Sequence, residues 1–509
     1  GDGSVGGGNI VQTPVATPIE LFGGAASLVG NSYASAEEEK DVSSGGDGNT
    51  EDDNAVLASN VIATPIAQPV QAFGLSAAGV GIADGFATSD TETTAGGKYT
   101  GSGEHAVGSG NIVQAASAAP IQVFGASAAA GGITTAAAEN FSSTSAGGDN
   151  DTSGAGSVAS GNVAAVTNAL PAQAHGLGAS LIGNTTAYSD NVTEAFAGGM
   201  TTTDGSGGAL SGNVVNGPIG GAAGVFGDAV SVVGFAQGAA GNDVTAISGD
   251  FTETNGDGGS VSGNVLSADV VPVAQVFGDA VTVAGFADGW AENSTYPFAG
   301  GDIASSGEAG ALSGNVFDLP AAAIAQVLGN AVAVGGHAFG TAENEVVGAA
   351  GGAVDTDAID AQLPVGVLAQ VYNFSVDVLG EAVGTVTGNT VDVTVGEDEL
   401  HSLVLDGAEL LATELPSVNG LPVKTVAYQR SGAPDVTQEL PKIADLPELP
   451  GLPDAGELPV DVQLPQVDLP APADLPTVER NAGIKQTGLR GLWAKLTGAL
   501  SGKQMHIQG

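Results

Sequence analysis

A sequence period of 51 residues constrains this chain more than any other feature. The motif Ser/Gly-Gly-Asn, followed by two apolar residues, recurs at that interval. Its asparagines are Asn9, Asn60, Asn111, Asn162, Asn213, Asn264 and Asn315. Seven copies occur without an insertion or deletion. This constancy predicts units that stack on one another, because a change of length in one unit would misalign all the others.

A second column of residues, each followed by Gly, keeps the same interval. It consists of Phe22, Phe73, Phe124, His175, Phe226, Phe277, Leu328 and Leu379. His175 therefore occupies a repeat position and is not a catalytic candidate. The eighth copy is degenerate, because Gly366 stands where its first Asn is expected. We predict about eight units over residues 1–408.

The polar half of each unit carries its own asparagine column. Its members are Asn140, Asn191, Asn242, Asn293 and Asn344. Two interpretations of the Asn columns stay open. Stacked side-chain amides form hydrogen-bonded ladders, whereas isolated Asn residues favour turns because they tolerate left-handed backbone angles.

The sixth unit indicates what one repeat contains. Residues 273–277 and 280–284 are short alternating runs on either side of Gly278-Asp279, a pattern typical of a β-hairpin. Both faces of this hairpin are apolar, which predicts burial on both sides. No apolar period of 3.6 residues occurs in the repeats. The predicted fold is therefore all-β, with 51-residue repeats stacked as a β-solenoid-like or β-hairpin array.

Composition excludes several functional classes. The 509 residues contain 10 Lys and Arg against 56 Asp and Glu, and a net charge of −46 excludes a protein that binds nucleic acid by neutralising phosphates. The absence of Cys excludes disulfide scaffolds and thiol chemistry. No apolar run is long enough for a transmembrane helix. The five His residues lack metal or triad spacing, so we expect neither an enzyme nor a resident cofactor.

Two acidic glycine-rich loops are weak candidates for calcium. Residues 45–49 and 255–258 combine Asp, Asn and Gly, whose carboxylate and backbone oxygens suit Ca²⁺. Neither loop matches an EF-hand or a nonapeptide calcium roll. Solvated acidic turns are the simpler interpretation, and weakly bound Ca²⁺ is the alternative.

The apolar half of each unit resembles the chaplin family of secreted actinobacterial proteins. The resemblance rests on Gly1-Asp-Gly at the start of the first copy, on Ser262-Gly-Asn264, and on Gly278-Asp279 leading to Gly285. It covers about half of each unit. Chaplins carry Cys before the turn Gly, where this chain has Phe or Leu. The resemblance implies secretion, a cell-surface location and self-assembly into β-rich fibrils.

The sequence changes character after about residue 408. A transition segment at 409–439 leads to a Leu-Pro-rich arm at 440–478, which is either a semi-rigid spacer or an arm that docks on a neighbour. Residues 479–509 form a basic tail with amphipathic helical spacing. Its candidate subunit-contact residues are Leu489, Arg490, Trp493, Lys495, Leu496 and Leu500. The tail pairs with the acidic body of another subunit, lies on an anionic membrane or envelope polymer, or has no role.

These features favour a secreted structural protein that assembles with itself into an extracellular filament or surface sheath. Repeat ends, the C-terminal arm, or both would join the subunits, and cell-wall polymers or related surface proteins are further candidate partners. The alternative is a cell-surface adhesin built on a stalk of stacked repeats. A Thr-based ice- or crystal-binding stack is a third and weaker interpretation. The initial Gly fits removal of a signal peptide.

Overall fold

The structure, a computed structural model, describes residues 3–396 and the backbone of residues 398–401. This part of the chain is built from strands and contains no helix, so it also contains no helix that could cross a membrane. Eight successive coils stack on one another, and each coil adds strands to the same sheets. The prediction of an all-β, solenoid-like array is confirmed.

Each coil visits four sheets in chain order, which we number sheet 1 to sheet 4. Equivalent strands of neighbouring coils pair in parallel at the 51-residue interval, as Ile10 pairs with Val61 and Asn31 with Ile82. Sheet 1 contains 18 strands, sheet 2 contains 8, sheet 3 contains 9 and sheet 4 contains 7. The repeat period is therefore the length of one coil.

The strands of the four sheets are as follows. Sheet 1 contains Ile10–Gln12, Val15–Ala16, Ile19–Phe22, Val61–Ala63, Ile66–Ala67, Val70–Phe73, Ile112–Ala118, Ile121–Phe124, Val163–Ala169, Ala172–His175, Val214–Gly220, Ala222–Phe226, Val265–Ser267, Val270–Phe277, Val316–Asp318, Ala321–Leu328, Asp360–Gln362 and Val365–Tyr372. Sheet 2 contains Ala25–Ser27, Ser76–Ala78, Ser127–Ala129, Gly178–Ser180, Ala229–Ser231, Ala280–Thr282, Ala331–Ala333 and Ser375–Asp377. Sheet 3 contains Asn31–Ser44, Ile82–Ala95, Ile133–Ala146, Asn184–Ala197, Phe235–Ser248, Phe286–Ala299, His337–Ala350, Glu381–Val395 and Asp398–His401. Sheet 4 contains Gly48–Glu51, Tyr99–Ser102, Asn150–Ser153, Thr201–Asp204, Thr252–Asn255, Ile303–Ser306 and Val354–Thr356.

The predicted hairpin at Gly278-Asp279 is wrong. The runs on either side of this pair belong to different sheets, because Val270–Phe277 lies in sheet 1 and Ala280–Thr282 in sheet 2. Each run pairs with its equivalents in the neighbouring coils. Gly278 has a φ of 66°, a left-handed angle that suits a corner as well as a hairpin turn. Local sequence alone does not distinguish the two.

The prediction that residues 273–284 are buried on both sides is also wrong. Side chains alternate strictly between the interior of the coil and solvent, so that Phe277 is fully buried while Val281 is 40% exposed. The interior is filled mainly by Ala and Val together with polar Ser, Thr, Asn and Gln. The apolar residues on the outward side are therefore not part of the core, and their presence at the surface needs a separate explanation.

The eighth coil departs from the 51-residue interval. Thr356 pairs with Ser305, but Asp360 pairs with Val316, so this coil is seven residues shorter at one corner. Tyr372 therefore pairs with Leu328 and continues the Phe column. The assignment of Leu379 to that column is wrong, and this side chain is 80% exposed. Likewise Ile359, rather than Gly366, follows Asn315 in its column, with its backbone N–H bonded to Asn315 Oδ1.

Candidate interaction face

The predicted Asn column forms a hydrogen-bonded ladder at one corner of the coils. The Nδ2 of each Asn donates to Oδ1 of the Asn one coil earlier, at 2.7–3.1 Å. The backbone N–H of each Asn donates to the same oxygen. The seven residues are Asn9, Asn60, Asn111, Asn162, Asn213, Asn264 and Asn315. The ladder interpretation holds for this column.

The predicted Phe column forms a buried stack of rings. Neighbouring rings from Phe22 to Phe277 lie 4.7–5.1 Å apart and are nearly parallel. Leu328 is fully buried in the same column. His175 stacks between Phe124 and Phe226, and burial lowers its pKa to about 3, so the imidazole is neutral. From Phe73 to Leu328 the side chains of this column are fully buried and support the coil from inside, whereas Phe22 in the first coil is partly exposed.

Two further amide ladders cross the interior. In sheet 1, Gln122 Nε2 donates to Gln71 Oε1 and Gln173 Nε2 donates to Gln122 Oε1, both at 2.9 Å. Gly224 interrupts this column, which resumes where Gln326 Nε2 donates to Gln275 Oε1 at 2.8 Å. Asn side chains of sheet 3 form a second ladder from Asn140 to Asn389, at 2.8–2.9 Å. The turn interpretation is wrong for this column, which lies within strands. The Gln ladder was missed by sequence reasoning, although its 51-residue spacing was visible.

The first coil terminates the Gln ladder with a charge. Glu20 takes the place of Gln, and its buried carboxylate accepts from Gln71 Nε2 at 3.0 Å. Lys40 Nζ lies 3.1 Å from Glu20 Oε1 and 2.7 Å from Glu38 Oε1. The hydrogen bond with Glu38 is the main cause that raises the pKa of Lys40. An ionic cluster thus caps the stack at coil 1.

The outward side of sheet 1 forms the most unusual surface of the described chain. Its six outward columns begin in coil 1 at Val11, Thr13, Val15, Thr17, Ile19 and Leu21. No position of these columns is charged in any coil through Val371. Most of them are Val, Ile, Leu or Ala, and many are strongly exposed, such as Val166 at 57% and Val215 at 51%. We call this surface the apolar face.

The apolar face is large for a monomer. Strands advance about 3.3 Å per residue and lie about 4.8 Å apart, so the face measures roughly 40 Å by 35 Å, or about 1,400 Å². The largest apolar patch on a typical monomer covers about 300–600 Å². A stable protein–protein interface buries about 800 Å² on each partner. The face is therefore of the size and chemistry of an interface.

The outward side of sheet 3 has the opposite chemistry. Carboxylates recur along it, as at Glu139, Asp190, Asp243 and Glu292, and we call it the acidic face. Exposed aromatic side chains that differ between coils lie among them. These aromatic residues include Phe86, Phe141, Tyr188 and Trp290. Charge and apolar surface are thus segregated on different sheets.

Burial and neighbouring charges change the pKa values of carboxylates on the acidic face. Partial burial raises the pKa of Asp243 to about 6, and the nearby charges of Glu194, Asp190 and Glu345 raise it further. Burial also raises the pKa of Glu194. The negative charge of this face therefore depends on pH near neutrality.

In each of the two predicted calcium loops, a carboxylate accepts hydrogen bonds from the equivalent turn of the next coil. Asp47 Oδ1 accepts from the backbone N–H of Lys98 at 2.8 Å. Asp257 Oδ1 accepts from the backbone N–H of Glu308 at 2.8 Å and from Ser306 Oγ. Calcium binding at these loops stays a prediction. The candidate contact residues Leu489, Arg490, Trp493, Lys495, Leu496 and Leu500 lie outside the described residues, as do the segments at 409–439, 440–478 and 479–509.

Comparison with protein-family models, with curated proteins and with solved structures finds no match to this chain. The resemblance to chaplins is therefore supported by the quoted motifs alone. The functional conclusion depends on the geometry of the faces.

Proposed function

We propose that this is a secreted structural protein that assembles with copies of itself into an extracellular filament or surface sheath. The observation that carries the proposal is the uncharged apolar face across all eight coils. Leaving such a surface in water is unfavourable by about 25 cal/mol per Å². A second copy of the chain is the occupant we infer, because two copies of the same uncharged face match in size and chemistry.

Charge segregation supports this occupant. A chain with a net charge of −46 repels its own copies at most orientations. Contact between two apolar faces brings no charged side chains of those faces together and leaves the acidic faces pointing away from each other. Burial of about 1,400 Å² on each partner exceeds what a standard interface needs.

The ends of the coil stack are less suited to assembly. The edge strand Asn31–Ser44 pairs with Ile82–Ala95 and has no partner on its other side within the described residues. That strand carries Glu37, Glu38, Glu39 and Lys40, and charges of this kind discourage strand addition at an edge. At the other end, Asp398–His401 folds back antiparallel over part of the last strand of sheet 3. We therefore favour the apolar face over the repeat ends as the main contact.

The experiment measures the mass of the full chain in solution. Sedimentation velocity at rising protein concentration is expected to show species larger than the monomer, and negative-stain electron microscopy shows whether they are filaments or layers. Val166→Glu with Val215→Glu places two charges in the apolar face and is expected to return the chain to monomer. Ser143→Glu with Thr186→Glu adds the same charge to the acidic face and is the matched control.

Two results would contradict the proposal. One is a wild-type chain that stays monomeric at concentrations of about 100 μM, since interfaces of this size commonly bind more tightly than that. The other is equal loss of assembly in the two double variants, which would assign the effect to net charge. Circular dichroism of each variant verifies that the coils are folded.

The acidic face favours a second candidate function, a binding module or adhesin. Its exposed aromatic residues differ from coil to coil, so the face is not a simple repeat. Trp290 together with Glu292 and Tyr296 gives coil 6 a mixed aromatic and acidic surface of the type that binds cationic or sugar ligands. Binding of surface polymers by a chain that stays monomeric would support this candidate over assembly.

A further inference from the structure

Sheet 2 presents a second uncharged surface on the outside of the coils. It is formed by the outward column of the sheet 2 strands and by two columns at the corner toward sheet 3. Every position of these three columns contains Ala, Val, Leu, Ile or Gly in all eight coils. From coil 1 to coil 8 the columns run between Ala26 and Val376, between Leu28 and Val378, and between Val29 and Leu379. We call this surface the sheet 2 face.

The apolar side chains of the sheet 2 face are exposed to solvent. Leu28 is 81% exposed and Ile182 is 66% exposed. Leu379, which was predicted to lie in the Phe column, belongs to this face instead. A contiguous exposed apolar surface of this kind is typical of an interaction site.

The sheet 2 face contains a groove next to bulkier side chains. Ala77, Ala128 and Ala130 line an open groove of about 840 Å³ that extends over coils 1–5. Leu181 lines the same groove in coil 4, and the exposed Ile182 follows it. A surface that combines a groove with bulky side chains can be complementary to a copy of itself, as a two-fold contact requires.

The sheet 2 face is large enough for such a contact. Residues 25–31 lead from the start of sheet 2 to the start of sheet 3, a distance of roughly 20 Å, and seven coils stack over roughly 34 Å. Coil 8 is left out because Asp377 and Glu381 flank the face there. The face therefore measures about 700 Å², and two copies would bury about 1,400 Å² in total, where specific interfaces bury about 1,200–2,000 Å².

A single self-complementary face does not build a filament, because a two-fold contact uses the same patch on both copies and closes as a dimer. We propose that the sheet 2 face binds the sheet 2 face of another copy and joins the dimers formed by the apolar face into a filament or layer. This inference rests on the proposed function and supplies the second contact that such an assembly needs.

The charge distribution favours a second copy as the occupant. Chains with a net charge of −46 repel one another least where their surfaces carry no ionised carboxylate. At the border with sheet 1, Asp228 Oδ1 accepts from the backbone N–H of Asp279 at 2.8 Å, and Asp279 Oδ1 accepts from that of Asn330 at 2.7 Å. Burial raises the pKa of Asp228 to about 8, so this carboxyl is mainly protonated at pH 7. This border therefore carries less charge than its sequence indicates.

The test uses the full chain in sedimentation velocity and negative-stain electron microscopy. Because the sheet 2 face has about half the area of the apolar face, we expect dimers at low concentration and larger species as the concentration rises. Ala128→Glu with Ala179→Glu places two charges in the groove and is expected to abolish every species larger than a dimer. Ser143→Glu with Thr186→Glu adds the same charge to the acidic face and should assemble as wild type does. Circular dichroism verifies that both variants are folded.

A second measurement locates the contact directly. The chain contains no Cys, so a single introduced thiol reports its own accessibility. The thiol of an Ala179→Cys variant should react readily with a maleimide in dimers and slowly in larger assemblies. The thiol of a Thr186→Cys variant on the acidic face should react readily in both.

Several outcomes would overturn the inference. Filaments formed equally well by the Ala128→Glu, Ala179→Glu variant, or an Ala179→Cys thiol that stays reactive in filaments, would refute the sheet 2 contact and leave the proposed function standing. A wild-type chain that stops at the dimer would show that the apolar face acts alone. A monomeric wild-type chain would contradict the proposed function as well. Protection of the Ala179→Cys thiol only after addition of phosphatidylcholine vesicles would assign the groove to lipid.

Discussion

Sheets 1 and 3 enclose one interior but present opposite surfaces to solvent. On the inside, each contributes an amide ladder, and the two ladders meet where Gln326 and Asn344 exchange hydrogen bonds of 3.1 Å. On the outside, sheet 1 carries no charge in its six columns, whereas sheet 3 carries most of its outward carboxylates in the middle of its strands. The inward residues of both sheets stabilise the coil, and the outward residues determine which surfaces the coil can bind.

The largest expected effect on stability comes from comparing an inward and an outward residue of one strand of sheet 1. Phe226→Ala removes a ring from the buried stack and should lower the free energy of unfolding by about 3–5 kcal/mol. Val225→Ala, one residue earlier and facing outward, should change it by less than about 1 kcal/mol while weakening self-association. Urea unfolding and sedimentation velocity measure the two quantities.

Phe226→Leu is the matched control, because Leu328 fills the same column in coil 7. It should cost no more than about 1.5 kcal/mol. A Val225→Ala variant as unstable as Phe226→Ala would show that the apolar face belongs to the core of the folded unit.

The next effect is a pH dependence of the free energy of unfolding, which we assign to His175. Its pKa is about 3 in the folded chain and about 6.5 in the unfolded chain, so the unfolded state binds the proton more readily. The resulting stability is present above pH 6.5 and is lost as the pH falls toward 3. Between pH 6.5 and pH 4 the loss is about 3 kcal/mol. His175→Phe restores the ring of the column and should remove this loss.

The comparison of His175→Phe with wild type isolates this group. Carboxylates with raised pKa values shift stability in the opposite direction on acidification, but they are common to both proteins. Unfolding free energies measured at pH 7 and pH 4 should differ less in the variant. An unchanged difference would place the acid sensitivity elsewhere.

The cap of coil 1 provides a smaller effect. Lys40→Met leaves the buried carboxylate of Glu20 without its cation and should destabilise the first coils by about 1–2 kcal/mol, discounted because Lys40 is partly exposed. Glu20→Gln added to Lys40→Met replaces the charge with the residue that Gln71 and Gln122 place in this column. The double variant should recover most of the loss in native-state hydrogen exchange. Failure to recover would show that Lys40 acts through packing alone.

The sequence predicted the coil period and the Phe column, and it offered the Asn9 ladder as one of two interpretations, because these residues recur at a fixed interval of 51 residues. It did not distinguish a corner from a hairpin, since Gly278-Asp279 suits both. Leu379 was misplaced because the shortening between Thr356 and Asp360 shifts every later residue, and pairing between coils, not counting, sets the register. The outward side of residues 273–277 was predicted to be buried, because an alternating sequence pattern indicates the two sides of a strand but not which side is exposed to solvent.

The smallest expected effect concerns the acidic face. Because the pKa of Asp243 is raised to about 6, its ionisation destabilises the folded chain, and stability from this group is lost as the pH rises through 6. Asp243→Asn should therefore stabilise the chain at pH 8 by about 1 kcal/mol, discounted for solvent screening, and by almost nothing at pH 4.

Asp190→Asn is the control, because it removes the same formal charge from a neighbouring outward position of sheet 3. Equal stabilisation by both variants at pH 8, with the same decrease in 0.5 M salt, would indicate general repulsion across the face rather than the local burial of Asp243. A larger effect for Asp243→Asn that survives in salt would show that desolvation limits how many carboxylates this face can carry.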